Sequence, residues 1–182
     1  MTDIASEDIL RFWFEALEPK QWWSKDAALD ALIAECYAPL LASAARCELH
    51  AWRATPRGRL AEVIVLDQFP RQIHRDTPQA FACDPLALAL AQEAVARGDD
   101  AALTPIERVF LYLPYMHSES AAIQQVSVAL YERNGLPDNL DFARRHKAIV
   151  DRFGRYPHRN AILGRASTPE EIAFLAEPGS RF

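Results

Sequence analysis

Three stretches of this chain of 182 residues gather side chains able to move a proton or hold an anion. In Leu66-Asp67-Gln68-Phe69-Pro70-Arg71-Gln72-Ile73-His74-Arg75 an apolar run ends in a polar cluster. Pro70 should turn Phe69 away from helical geometry, and Asp67 and Arg71 are spaced to pair across that break. In Tyr112-Leu113-Pro114-Tyr115-Met116-His117-Ser118-Glu119-Ser120 an imidazole stands two places from a carboxylate. A histidine oriented by an acid has the chemistry of a general base or a metal ligand. The third stretch holds His146, Arg152, Gly154 and then Arg155-Tyr156-Pro157-His158-Arg159-Asn160. Two guanidiniums, an imidazole and an amide within six residues, without an acid among them, suit a carboxylate or phosphate.

Each stretch also has a purely structural account. Asp67 with Arg71 would be a solvated helix end whose salt bridge is worth under about 1 kcal/mol. Pro114 would end one helix and Ser118 or Ser120 cap the next, with Glu119 in its first turn, where a carboxylate favours the helix dipole. Arg152 and Arg155 suit a helix C-terminus, and the arginines could brace Asp67, Glu119 or Glu62.

Other chemistries find less support. There is no GxSxG elbow, no phosphate loop and no dinucleotide fingerprint, and Cys83 beside Asp84 lacks an activating neighbour. No HxxxH or ExxH pair shares a helix face, so neither a metal nor a cofactor is expected. Cys36, Cys47 and Cys83 are too few for a disulfide framework and read as small buried hydrophobes in a reducing cytoplasm. The acidic N-terminus is unlike a signal peptide, and no apolar run approaches the roughly 20 residues that span a bilayer. The net charge of −5 argues against nucleic acid. A small anionic ligand or a peptide is the expected partner.

Helices must position these groups. Alanine occurs 31 times, and it is the best helix former. Thr55-Pro56, Thr77-Pro78, Thr104-Pro105, Thr168-Pro169 and Asp84-Pro85 each set a capping side chain before a proline. Thr104 with Glu107 and Thr168 with Glu171 have capping-box spacing. Apolar residues recur at helical intervals, as in Ile9, Trp13 and Leu17, or Leu29, Ile33, Cys36, Tyr37 and Leu40 with Pro39 kinking or ending that helix. Trp13, Trp22, Trp23 and Trp52 read as core. Asn134-Gly135 and Gly154 mark helix stops. No alternating strands flank a hairpin turn. The reading is one all-α domain over residues 1–182, an irregular right-handed α-α superhelix of antiparallel helix pairs. Residues 141–165 carry a net +5 against −10 elsewhere, a pattern that attracts an anion or pins the C-terminal segment to an acidic body.

The chain resembles a bacterial family designated domain of unknown function 924. The matching stretches are Phe12-Trp13-Phe14, Leu66 to Arg71, Met116-His117-Ser118-Glu119, Arg152-Phe153-Gly154-Arg155-Tyr156-Pro157-His158-Arg159-Asn160, and Ser167-Thr168-Pro169-Glu170-Glu171-Ile172 through Glu177-Pro178-Gly179-Ser180. The resemblance implies a tetratricopeptide-like, all-helical fold and no established activity. Because the family's signature falls on the polar clusters, it also implies one site. Asp67, Arg71, His117, Glu119, His146, Arg155, His158, Arg159 and Asn160 would then converge on the concave side of the superhelix. Arg155 and Arg159 would hold an anion, His117 oriented by Glu119 would act as acid or base, and His158 would be a second proton carrier. An interaction module gripping a peptide is the alternative.

Overall fold

The computed structural model describes residues 4–180, which form helices and no strands. The longer elements are α1 (Ser6–Arg11), α2 (Ala27–Ala45), α3 (Pro56–Asp67), α4 (Phe69–Ile73), α5 (Asp84–Ala96), α6 (Pro105–His117), α7 (Ala121–Asn134), α8 (Pro137–Phe153) and α9 (Pro169–Leu175). A π-helical stretch, Phe12–Ala16, extends α1, and 3-10 turns fill several connections, among them Pro78–Phe81 and Pro157–Arg159.

α3 is the central helix. Every residue from Gly58 to Asp67 is buried, beneath α1, α2, α4, α5 and α6. A helix enclosed all round must pair any charge it carries. Glu62 accepts a two-pronged bond from Arg53 at 2.7 and 2.6 Å, and Arg59 reaches Asp99 at 3.1 Å. Asp67, the last residue, is the third buried charge. α6 is buried from Val109 to Met116 and packs on α3, so the C-terminal ends of two core helices come together at Asp67 and His117.

Local signals explain the starts of these helices. Thr55 accepts from Gly58 N at the head of α3, and the Thr104–Glu107 and Thr168–Glu171 boxes close on α6 and α9. Gly135 and Gly154 end α7 and α8 in left-handed geometry, with φ of 78° and 70°.

Several expectations are corrected. Pro114 lies inside α6 and does not end it, and of the two alternatives for Pro39, kinking or ending, the second is excluded because α2 runs on to Ala45; a proline removes one N–H, and neighbouring turns sustain the helix beyond it. Phe69 is helical, and α4 follows α3 after a single intervening residue. Asp84 is not a cap. Cys83 holds that position without a side-chain bond, and the Asp84 carboxylate is taken by arginines. Thr77 does not cap with its side chain, whose hydroxyl donates to His74 O. Ser120, the N-cap of α7, makes no side-chain capping bond, and Glu119 precedes it rather than lying in the first turn. Cys36 and Cys47 are exposed. Trp23 is also exposed, lying flat against Phe110 with ring centres 5.6 Å apart. By length and composition α2 is long and apolar enough to cross a membrane, contrary to the expectation of no such run. Here it buries Leu29, Ile33, Leu41 and Ala44 against the core, and its Asp30 holds Arg75 at 2.6 Å.

Candidate functional site

The site begins where α3 and α6 end. His117 Nδ1 lies 2.8 Å from Asp67 Oδ1. A carboxylate at a helix C-terminus faces the negative end of the dipole and needs donors of its own. Asp67 has two, His117 on Oδ1 and Gln68 Nε2 at 2.5 Å on Oδ2, with the Arg71 guanidinium as an ion-pair partner 3.7 Å away. Burial would raise its carboxyl, but the Arg71 guanidinium and the hydrogen bonds from His117 and Gln68 overcome it and hold Asp67 below the usual carboxylate range. Burial pushes the His117 imidazole below its usual 6.5, Arg71 pushes it further down, and Asp67 restores only part of the loss. A neutral ring against a carboxylate carries its proton on Nδ1, which leaves Nε2 as a bare acceptor. No hydrogen bond occupies Nε2 among the described residues, and the ring borders a cleft.

Arg71 extends this pair into a closed ring. Its Nη1 donates to Asp67 O at 2.6 Å and to Asp84 Oδ1 at 2.9 Å, while Nη2 reaches Asp84 Oδ2 at 3.1 Å. Asp84 Oδ2 also takes Arg159 Nη1 at 3.3 Å, and Arg159 Nη2 donates to His117 O at 3.0 Å. His117, Asp67, Arg71, Asp84 and Arg159 thus close on one another. Arg159 is buried between the rings of Phe81 and Tyr156, its guanidinium carbon 4.6 and 4.8 Å from their centres. Its Nε has no hydrogen-bond partner among the described residues. Burial, and after it the neighbouring charge of Arg71, lower the Arg159 pKa from 12.5. Arg71 is shifted upward by its two acids despite burial. Of the two cations, Arg159 is the one whose charge is poorly compensated.

The remaining candidates divide between bracing and flanking positions. Glu119 does not orient His117. Its oxygens take Arg165 Nη1 and Nη2 at 2.7 and 2.9 Å and Tyr156 N at 2.7 Å. Arg155 forks onto Glu171 at 2.7 and 2.8 Å, and Asn160 Nδ2 reaches the same carboxylate at 3.2 Å. Those two residues tie α9 to the body, so the surplus positive charge of residues 141–165 is spent largely on internal acids. His146 donates Nδ1–H to Phe142 O at 2.8 Å and meets the Tyr156 ring edge-on. His158 also packs on Tyr156, the two rings tilted at 34° with their centres 5.6 Å apart. Burial drives His146 down to about 3 and His158 to about 4, with nearby positive groups adding to it.

The cleft has a volume of about 500 Å³. Asp84, His117, Ser118, Glu119 and Arg159 supply its polar wall, and Phe81, Leu88, Pro114 and Leu163 are among its apolar residues. So Asp67, Arg71, His117 and Arg159 come together, with Glu119 on the same wall. Arg155 and Asn160 belong to the α9 anchor, and His146 and His158 pack on Tyr156. Asp84 and Phe81 were missed in the sequence, where Asp84 before Pro85 looks like a cap. The signal that could have found Asp84 is the unbalanced arginine pair of the third cluster. No group of three His, Cys, Asp or Glu side chains is arranged to hold a metal ion among the described residues.

Comparison with protein families matches one described as bacterial protein of unknown function (DUF924), over residues 9–179. No match was found among curated proteins. Among solved structures, the chain is similar to a protein of unknown function, ATU0120, from Agrobacterium tumefaciens. The two share 43% identity with a TM-score of 0.89, over 94% of this chain and 96% of that one.

Proposed function

The chain belongs to the DUF924 family of bacterial proteins, and we propose that its cleft binds a small anionic metabolite and hydrolyses it by general acid–base catalysis at His117. One observation carries this reading: Asp67 engages Nδ1 of His117 at 2.8 Å, and the ring borders a cleft whose wall includes Arg159. Arg159 supports the anion. It is a buried cation with an unbonded Nε, a shared partner at 3.3 Å and a second guanidinium nearby, so an anion beside it relieves the cost of its burial.

The chemistry follows from the open nitrogen. Nε2 takes a proton from water as the water oxygen attacks an ester carbon or phosphorus. The bond to the leaving oxygen breaks, and Nε2 returns the proton to that oxygen. Asp67 keeps the ring in the required tautomer and steadies the transient imidazolium.

The fold supports a second reading. α5 packs on α6, α6 on α7 and α7 on α8, a succession that suits a right-handed, tetratricopeptide-like superhelix. Such a frame in the cytoplasm would seat a peptide tail in the same cleft. The two are separated by assaying hydrolysis of a panel of carboxylate and phosphate esters with wild type and His117→Asn. Turnover that falls at least a hundredfold in the variant supports the enzyme. Turnover equal in both, or absent from wild type alongside binding of acidic peptides, overturns it.

A further inference from the structure

The wall of the cleft says more about its occupant than the sign of its charge. Its two carboxylates are spoken for: Asp84 by Arg71 and Arg159, Glu119 by Arg165 and the Tyr156 amide. Neither can recruit an ammonium group. What remains for a ligand is the Nε2 acceptor of His117, the hydroxyl of Ser118, whose oxygen already accepts from Ser120 N, and the charge of Arg159.

The hydrocarbon recedes from these groups in an ordered way. Leu88 stands four residues beyond Asp84 on α5, and Pro114 three residues before His117 on α6. At about 1.5 Å of rise per residue, they lie roughly 6 and 4.5 Å, about one helical turn, along the axis from the polar group on their own helix. Phe81 and Leu163 complete that part of the wall. A bare inorganic anion would leave the apolar turn wet.

We infer that the occupant is an amphipathic oxyanion, a carboxylate or phosphate head set at Arg159 and the Ser118 hydroxyl, beside the Nε2 acceptor of His117, with a short hydrocarbon tail lying between Leu88 and Pro114. The inference rests on the anion-binding reading above and adds the tail. Each methylene transferred from water into such a site tightens binding about fourfold when fully buried.

The test is an NMR titration of the whole chain with four probes: acetate, hexanoate, hexyl phosphate and neutral hexanol. Hexanoate or hexyl phosphate should bind at least tenfold more tightly than acetate, and the tighter of the two identifies the head. Leu88→Asn should erase the advantage of the tail while leaving acetate binding unchanged. Ala82→Trp, at an exposed position on the cleft wall, should do the same by filling the space, and it keeps the test intact if Leu88→Asn fails to fold. Acetate and hexanoate binding equally would overturn the tail and leave the anion site standing. Hexanol matching hexanoate would overturn the anion site. No shift with any probe would overturn both.

Discussion

Asp67 ends α3 and His117 ends α6, and a 2.8 Å hydrogen bond joins them across fifty residues of chain. Neither helix end is at ease with its own group. A carboxylate there opposes the dipole, and a neutral imidazole forgoes the stabilisation that a charged one would gain. Burial imposes the second choice on His117, and His117 with Arg71 makes the first tolerable for Asp67.

The two arginines of the ring should behave oppositely on removal. Arg71→Met strips Asp84 of its bidentate partner and Asp67 of a nearby cation, leaving buried acid uncompensated. A loss of about 3–5 kcal/mol is expected in urea unfolding. Arg159→Met leaves Asp84 paired with Arg71 and removes a poorly compensated buried charge. Its stability should stay within about 1 kcal/mol of wild type, or rise, while anion binding is lost. Equal destabilisation by both would make Arg159 a brace.

The α9 anchor gives a control for that comparison. Glu171 is 2% exposed and accepts from Arg155, Asn160 and Thr168 N. Glu171→Ala should cost about 2–4 kcal/mol through the donors left behind. Arg155→Ala, at a half-buried partner, should cost less. In both variants any ligand affinity measured for the folded protein should be unchanged; an affinity lost with Arg155→Ala would move that residue into the site.

Acid should weaken the fold through histidines that have no direct part in the proposed chemistry. His146 and His158 have folded values of about 3 and 4, well below the usual 6.5. The unfolded chain therefore binds more protons in that interval, so the stability they confer is complete above pH 6.5 and drains away as the pH falls through the lower values. Between pH 6.5 and 5 each should remove up to about 2 kcal/mol. Urea midpoints measured across this range should fall, and His146→Gln should flatten the slope. A flat profile in wild type would show that these rings take up protons as readily in the folded state as in the unfolded one.

What was legible in the sequence was local. Thr104 with Glu107 and Thr168 with Glu171 close their boxes because both partners belong to one helical turn. Gly135 and Gly154 stop helices for a reason confined to one residue's φ. Pro114 misled because the same local rule ignores what the neighbouring helices add, and packing carried α6 past it. The candidate groups Asp67, His117 and Arg159 were visible as types, but their partners were not. Glu119, two places from His117, is turned to Arg165 and Tyr156, and the acid that does engage His117 comes from another helix. Asp84 went unseen because a carboxylate before proline has an adequate local explanation.

The central claim is that burial keeps His117 neutral while Asp67 fixes its proton on Nδ1, leaving Nε2 open to the cleft. Nitrogen-15 chemical shifts of the His117 ring at pH 7, assigned by its loss in His117→Asn, test it most directly. The account predicts a protonated Nδ1 and an unprotonated Nε2 that shifts when inorganic phosphate or acetate is added. A ring protonated on Nε2, or an imidazolium at that pH, would contradict it.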